Sequence, residues 1–298
     1  MIYTLTLNPA IDYVVQLDHP LTPGDINRSY AESYQFGGKG INVSTVLHAL
    51  GVDTVALGFV AGFTGLGLEQ GLQEAGLSTR FIHLPQGNTR INVKVKGTEE
   101  TEINGAGPQI PDAAMNALLQ QLDTLLPGDT LVLSGSVPKG LDPAVYGQIL
   151  SRLQHHNVQF VVDAAGPLLT HTLPYRPFLI KPNLPELESL FAAHISSDAQ
   201  IAACARQLQQ QGARNVLVSL AGDGALLMDE TGHIHRLRCP SGQVINSVGA
   251  GDSMVAGFLA GWQRSGDYAY AFKLGIAAGS ASAFSLGLAD KAAIEALL

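Results

Sequence analysis

Apolar residues recur along the chain in two patterns. Short runs rich in β-branched residues, at 3–7, 54–60, 130–134, 160–163, 178–181 and 216–220, carry little polar alternation and read as strands buried on both faces. Between them lie stretches of helical spacing, such as 113–126, where Met115, Leu118, Leu119, Leu122 and Leu126 fall on one face. This alternation predicts an α/β fold, a central and mostly parallel sheet covered by helices on both sides.

A different pattern runs through 90–96, where Ile91, Val93 and Val95 alternate with Asn92, Lys94 and Lys96, as in a strand with one wet face. With 13–17 and 28–36 it predicts a small antiparallel sheet, formed by segments of about 12–36 and 89–105, that projects from the main body as a lid. The apolar face of such a lid needs a cover, so packing of two lids in a homodimer is expected. The length of 298 residues suits one large α/β domain over 1–298 with the lid as its appendage.

Composition narrows the function classes. Apolar residues make up 46% and charged residues 14%, with 33 glycines, as in a compact enzyme with many tight turns. A formal charge of −8 and the absence of any Lys/Arg run argue against a nucleic-acid partner, which requires a basic stripe. Any phosphate must then meet a few local basic residues and the backbone N–H groups of helix starts. Cys204 and Cys239 are isolated, which points to neither a disulfide nor a zinc site. The N-terminal residues show no basic leader and no apolar run reaches spanning length, so a cytoplasmic protein without a membrane partner is expected.

Two glycine turns each open a helix. Gly37-Gly38-Lys39-Gly40 precedes Val43, Val46, Leu47 and Leu50, and Gly249-Ala250-Gly251-Asp252 precedes Val255, Phe258, Leu259 and Trp262. Glycine before a helix is commonplace, but Lys39 inside the first turn and Asp252 inside the second add chemistry to both. Asp252 suits a general base for a hydroxyl that attacks a phosphoryl group, kept ionised by the helix N-terminus, which also lowers its basicity. The N–H groups of Gly249, Ala250 and Gly251 would stabilise charge on the transferred oxygens. No P-loop and no dinucleotide fingerprint is present, and Gly62-Phe63-Thr64-Gly65-Leu66-Gly67 reads as a turn into the next helix.

The two turns, in this order, resemble the paired signatures of the ribokinase-like (PfkB) carbohydrate kinases, and the likeness covers essentially the whole chain. Asn8-Pro9-Ala10-Ile11-Asp12, Thr89-Arg90-Ile91-Asn92-Val93-Lys94 and Gly249-Ala250-Gly251-Asp252-Ser253-Met254 are most similar to the 1-phosphofructokinase and tagatose-6-phosphate kinase branch. The resemblance implies a three-layer sandwich with a β-lid, ATP and Mg²⁺ as cofactors, and a sugar phosphate as substrate. It implies that Asp12, Asn42 and the backbone of Gly38 bind the sugar, that Lys39 and Arg90 meet its existing phosphate, and that Asp252 is the base. A planar Arg fork beside a Lys point charge suits an anionic sugar.

Lys181-Pro182-Asn183-Leu184-Pro185-Glu186 has the spacing of a capping box, with Asn183 as N-cap and Glu186 three residues on. It also resembles the family's N-x-x-E motif, which implies that Glu186 acts on Mg²⁺ through its water shell. The resemblance further places Lys181, Asn183, Ser219, Gly222, Gly224, Asn246 and Gly251 around the nucleotide, with the helix 277–283 flanking the adenine. Ser134, at a strand end where open sheets place ligands, is a substrate candidate. Phosphorylation of D-fructose 1-phosphate is the leading expectation. Tagatose 6-phosphate, fructose 6-phosphate and a non-catalytic sugar-phosphate sensor are the alternatives.

Overall fold

The computed structural model describes residues 1–298. The first half runs β1 (Ile2–Thr6), β2 (Ala10–Gln16), β3 (Ala31–Gly37), α1 (Lys39–Ala49), β4 (Thr54–Ala61), α2 (Gly62–Glu74), β5 (Ser78–Leu84), β6 (Arg90–Lys96), β7 (Glu100–Asn104) and α3 (Asp112–Leu122). There follow β8 (Thr130–Ser134), α4 (Val145–Leu153), β9 (Gln159–Asp163), α5 (Pro167–Thr170), β10 (Leu179–Ile180), α6 (Leu184–Phe191), α7 (Asp198–Gln210) and β11 (Asn215–Ser219). The chain closes with β12 (Ala225–Met228), β13 (Ile234–Leu237), α8 (Ala250–Ser265), α9 (Tyr268–Ala283) and α10 (Lys291–Glu295).

Nine strands form the main sheet in the order β13-β12-β11-β10-β9-β8-β1-β4-β5, parallel from β5 to β11 and antiparallel over the last two pairs. Successive residues of each buried strand enter opposite cores. Leu131 and Leu133 join one cluster with α3, α4 and α7, whereas Val132 joins another with α1, α8 and α9. Both faces are thus apolar, which is why these runs lack polar alternation. Strand order reverses between β1 and β8, so the crevice at their carboxyl ends is the natural ligand site of an open sheet. No helix is long and apolar enough to cross a membrane.

Four strands form the second sheet in the order β3-β2-β6-β7. Its outer pairs are antiparallel, but the central pair β2–β6 is parallel, a correction to the all-antiparallel expectation. The cause is geometric. β2 follows β1 and β6 follows β5, and because β1, β4 and β5 run parallel, both lid strands leave the same edge of the main sheet in the same direction.

Burial along β6 also departs from the simple alternation. Asn92 is 9% exposed and Ile91 is 39% exposed, so at this end of the strand the polar residue faces inward. Register explains the exchange: Asp12, Gln35, Asn92 and Asn104 form one row across the sheet, while Tyr13, Tyr34, Val93 and Ile103 form the next, on the opposite face. Tyr34 and Ile103 are each 61% exposed, so the outer lid face is apolar and uncovered in the single chain.

Gly62–Gly67 is not a turn ahead of a helix; it is the first part of α2 itself. Glycine serves close approach there. A Cβ at Gly65 would meet Val60 and Thr89 within about 3 Å, and one at Gly71 would collide with the Phe36 ring of the lid. Helix α2 can therefore lie tightly under β3.

Candidate active site

Helices α1 and α8 pack against each other and bring the two glycine turns together. Gly38 caps α1 at φ 127° and Gly249 caps α8 in the left-handed region at φ 81°, and neither offers a capping side chain. In the second turn the N–H groups of Gly249, Gly251 and Asp252 have no partner within the protein. That of Ala250 makes a long bond of 3.3 Å to the Ser247 carbonyl, so the free donors differ by one residue from the set expected. Uncommitted N–H groups at a helix start are suited to an anion.

Asp252 is 5% exposed, and its Oδ2 accepts a 2.7 Å hydrogen bond from Asn42 Nδ2 in the first turns of α1. Burial, and then the nearby charge of Asp163, push its carboxyl up to about 6, against the pull of Lys39, the Asn42 bond and Lys181. This corrects the expectation that the helix N-terminus would keep its basicity low. Desolvation outweighs the dipole, and the result is a carboxylate poised close to neutral pH.

Asp163 ends β9 and is fully buried. It forms 3.2 Å ion pairs with both Lys39 and Lys181. Burial opposes its ionisation, but the two ammonium groups and their hydrogen bonds prevail and hold the carboxyl below its usual range. Lys39 is affected by burial first, but Asp163, Asp252 and Glu186 together raise its pKa and keep it charged. Lys181 lies over the second turn, since a Cβ at Gly251 would stand 3.1 Å from its Nζ. Two ammonium groups thus converge beside the free N–H groups.

A cavity of about 360 Å³ opens at the strand ends, lined among others by Asn8, Gly38, Lys39, Arg90, Ser134 and Glu186. Arg90 donates through Nε to the Asn8 carbonyl at 3.1 Å, and its other guanidinium donors have no protein partner. Asn92 Nδ2 holds Asp12 Oδ1 at 2.8 Å from the neighbouring lid strand. Tyr146, fully buried, donates to the carbonyls of Ser134 and Gly135 at 3.1 Å and so sets the loop after β8. Six buried side-chain polar atoms lack a partner, and four of them, on Asn8, Asn92, Ser134 and Asp163, belong to this region. Such a concentration points to a polar ligand that completes their hydrogen bonds.

Other expected positions gather less tightly. Asn183 and Glu186 form the full capping box of α6, with bonds of 2.8 and 2.9 Å in the two directions. This occupies Glu186 Oε2 and leaves Oε1 without a protein partner on a residue that lines the cavity. Ser219 bridges to Asn183, which brings the ends of β10 and β11 side by side. Gly224 has a structural reason of its own, because at φ 92° its backbone lies against Leu237 and Arg238 too closely for any Cβ. Gly222 sits in an open turn with nothing near its Cβ position. Asn246 spends its side chain inside the protein, on the Leu286 carbonyl and the Val248 N–H.

The residue chemistry fits a nucleotide-bound Mg²⁺. No cluster of three metal-ligating side chains exists, but Glu186 retains a free oxygen at the cavity and Asp163 Oδ2 is buried without a partner. A strongly hydrated cation held mainly by phosphates asks for no more. Asp163 and Tyr146 are not among the site residues expected from sequence, and Asn92 is present there only as part of the lid motif. The sequence does carry a signal for Asp163, as an acid that ends a buried strand in the kind of position that makes Ser134 a candidate.

The chain matches the model of the pfkB family carbohydrate kinases over residues 2–294. It is 44% identical over 298 residues to the 1-phosphofructokinase of Bacillus subtilis, covering all of this chain and 97% of that one. It is 36% identical over 296 residues to the D-tagatose-1-phosphate kinase of Bacillus licheniformis, covering 99% and 96%. Among solved structures, phosphofructokinase-2 of Escherichia coli in complex with substrates and products superposes with a TM-score of 0.93 at 27% identity, covering 99% and 97%. With this fold and this extent of similarity, the chain belongs to the pfkB family of carbohydrate kinases, within the ribokinase-like fold.

Proposed function

We propose that this chain transfers the γ-phosphoryl group of ATP to D-fructose 1-phosphate, giving D-fructose 1,6-bisphosphate and ADP. The observation that carries the reading is one turn holding both a carboxylate with a pKa near 6 and N–H groups without partners, next to two lysines. Asp252 takes the proton of the C6 hydroxyl as that oxygen bonds to the γ-phosphorus, and the bond to the β-phosphate oxygen breaks. Gly249 and Gly251 offer N–H groups to the charge that builds on the transferred oxygens. Mg²⁺, when bound with the nucleotide, neutralises phosphate charge, and Glu186 would hold its hydration shell. Lys39, set among Asp163, Asp252 and Glu186, is assigned to the transferred group and not, as the resemblance implied, to the substrate's own phosphate; Arg90 and its unpaired donors serve that phosphate.

The choice of a ketohexose 1-phosphate draws on the names of the relatives at 44% and 36% identity. The second of these supports tagatose 1-phosphate as the alternative acceptor. Comparison of kcat/KM across fructose 1-phosphate, tagatose 1-phosphate, tagatose 6-phosphate, fructose 6-phosphate and fructose, with ATP and Mg²⁺, tests the reading. Fructose 1-phosphate is expected to rank first. First rank for a 6-phosphate or for free fructose would overturn it, and no turnover of any sugar would favour a sensor.

Arg90→Ala is expected to lower kcat/KM for fructose 1-phosphate by about 10- to 100-fold, the range for losing a charged hydrogen-bond pair. The loss should fall mainly on KM, and slow turnover of unphosphorylated fructose should not change. For the base, the acid limb of the kcat/KM profile is expected near pH 6. Asn42→Ala removes a bond that favours the ionised form, so the same limb should move to higher pH. An unmoved limb would separate Asn42 from the base. The uncovered Tyr34, Ile91 and Ile103 of the lid further support a homodimer through that face, to be read by sedimentation as twice the chain mass.

A further inference from the structure

The turn 249–252 poses a mechanical problem. Three of its four N–H groups, those of Gly249, Gly251 and Asp252, are free to meet a ligand and so do not anchor the turn, the fourth makes only a long 3.3 Å bond, and its N-cap is a glycine with no side chain. What anchors it lies behind it. The Gly249 carbonyl accepts from both the N–H and the Oγ of Ser253, each at 2.8 Å. The Ser253 hydroxyl lies 2.7 Å from that of Ser282, on α9, and the Ala289 N–H donates to Ser282 Oγ at 3.0 Å. Ser253 and Ser282 are both completely buried.

Each hydroxyl has a single proton, which fixes the direction of the chain. Ser253 gives its proton to Gly249, so Ser282 must donate to Ser253 while accepting from Ala289. The chain runs from the Ala289 N–H through the Ser282 O–H and the Ser253 O–H to the Gly249 carbonyl as final acceptor, and both hydroxyls are buried. A serine bonding back to its own helix is ordinary. A second hydroxyl from 29 residues away, itself tied to a loop, is not. That loop also packs on the turn directly, since Leu288 Cδ2 stands 2.6 Å from a Cβ position on Gly249. Its start is laced to the preceding segment by bonds from the Ile245 and Asn246 N–H groups to the Ala283 carbonyl.

We propose that Ser282 and Ser253 are positioning residues for phosphoryl transfer, a buried hydroxyl relay that holds the Gly249 peptide, and with it the free N–H groups, in the orientation the transferred group requires. The inference rests on the reading of this turn as the phosphoryl-binding site. Neither serine touches substrate. Their effect passes through the Gly249 carbonyl, and it should appear in the transition state more than in sugar binding, because the sugar phosphate is held elsewhere by Arg90 and the lid.

The test compares Ser282→Ala, Ser253→Ala, the double variant and Ser282→Thr, each in the full chain and each normalised to folded protein by its melting transition. Misplacement of a catalytic group by about 1 Å costs on the order of 100-fold, so losses of about 10- to 100-fold in kcat are expected for both alanine variants. KM for the sugar phosphate should stay within about twofold, the double variant should be no worse than Ser253→Ala, and Ser282→Thr should recover most of kcat, as expected for one connected network. A kcat within twofold of wild type in folded Ser282→Ala, strictly multiplicative losses in the double variant, or a loss confined to KM would each overturn the relay. Should Ser282→Ala fail to fold, Ser253→Ala decides on the same criteria. Asp252→Asn serves as the control: if it abolishes transfer while Ser282→Ala does not, only the relay falls, whereas normal turnover in Asp252→Asn removes the reading of the turn itself.

Discussion

Asp252→Asn is expected to lower kcat by about 10³- to 10⁴-fold, the upper range for loss of a general base, while binding of the sugar phosphate stays near wild type. Asparagine keeps the shape and can still accept the bond from Asn42, so the loss isolates proton abstraction. Measured by single-turnover phosphoryl transfer and by equilibrium binding, the two readouts should diverge. Turnover within tenfold of wild type would remove Asp252 as the base.

The same variant carries a stability signature of opposite sign. The folded-state pKa of about 6 lies above the ordinary carboxylate value, so the native chain binds the extra proton more readily than the unfolded one. Stability therefore rises as pH falls through 6 toward 4, and above pH 6 the buried charge is a full penalty. Removing that charge should stabilise the protein at pH 8 by on the order of 2 kcal/mol. The gain should fade as pH falls through 6 and be mostly gone near pH 4, where Asp252 is already neutral in the folded chain. A more stable and inactive variant is the pattern of a group kept for function.

Asp163→Asn is expected to act in the reverse direction, as the largest destabilisation at this site. The change leaves the ammonium groups of Lys39 and Lys181 without their shared counter-charge, and Lys181 is almost wholly buried. Breaking a buried pair in this way costs on the order of 3 kcal/mol; the exposed flank of Lys39 softens the effect. Because Asp163 is held below its usual pKa, its contribution is present at neutral pH and lost as pH falls through the carboxylate range into the lowered value. Thermal unfolding should therefore show the deficit at pH 7 and a smaller one near pH 3. Adding Lys181→Met should restore much of the melting temperature but none of the activity, since one of the two ammonium groups beside the turn is then gone. An unchanged melting temperature in Asp163→Asn would show that the triad carries no net stability.

Six of the nine main-sheet strands, β1, β4, β8, β9, β10 and β11, were legible in the sequence because their signal is local, whereas β5, β12 and β13 are not among the expected runs. A strand buried on both faces must be apolar at nearly every position, as β8 is, and no distant residue alters that requirement. The two glycine turns were legible for the same reason, since a left-handed N-cap without a side chain writes itself as glycine at Gly38 and Gly249. The lid could be read as a separate sheet, but the parallel pairing of β2 with β6 could not. That pairing follows from where β1 and β5 end in the main sheet.

What only the tertiary structure decided is the electrostatics of the site. Asn42 and Asp252 are 210 residues apart, and Lys39 and Asp163 are 124 apart. Coulomb energy and desolvation depend on distance and depth, and neither is a property of neighbouring positions in the chain. Asp252 therefore reads in sequence as a helix-start acid held ionised and weakly basic by the helix N-terminus, and in the fold as a carboxylate pushed up to about 6 by burial and by Asp163. The sequence alone determined which residue types stand at the turn. The fold determined how strongly basic Asp252 is, which lysines face it and which hydroxyls hold its backbone in place.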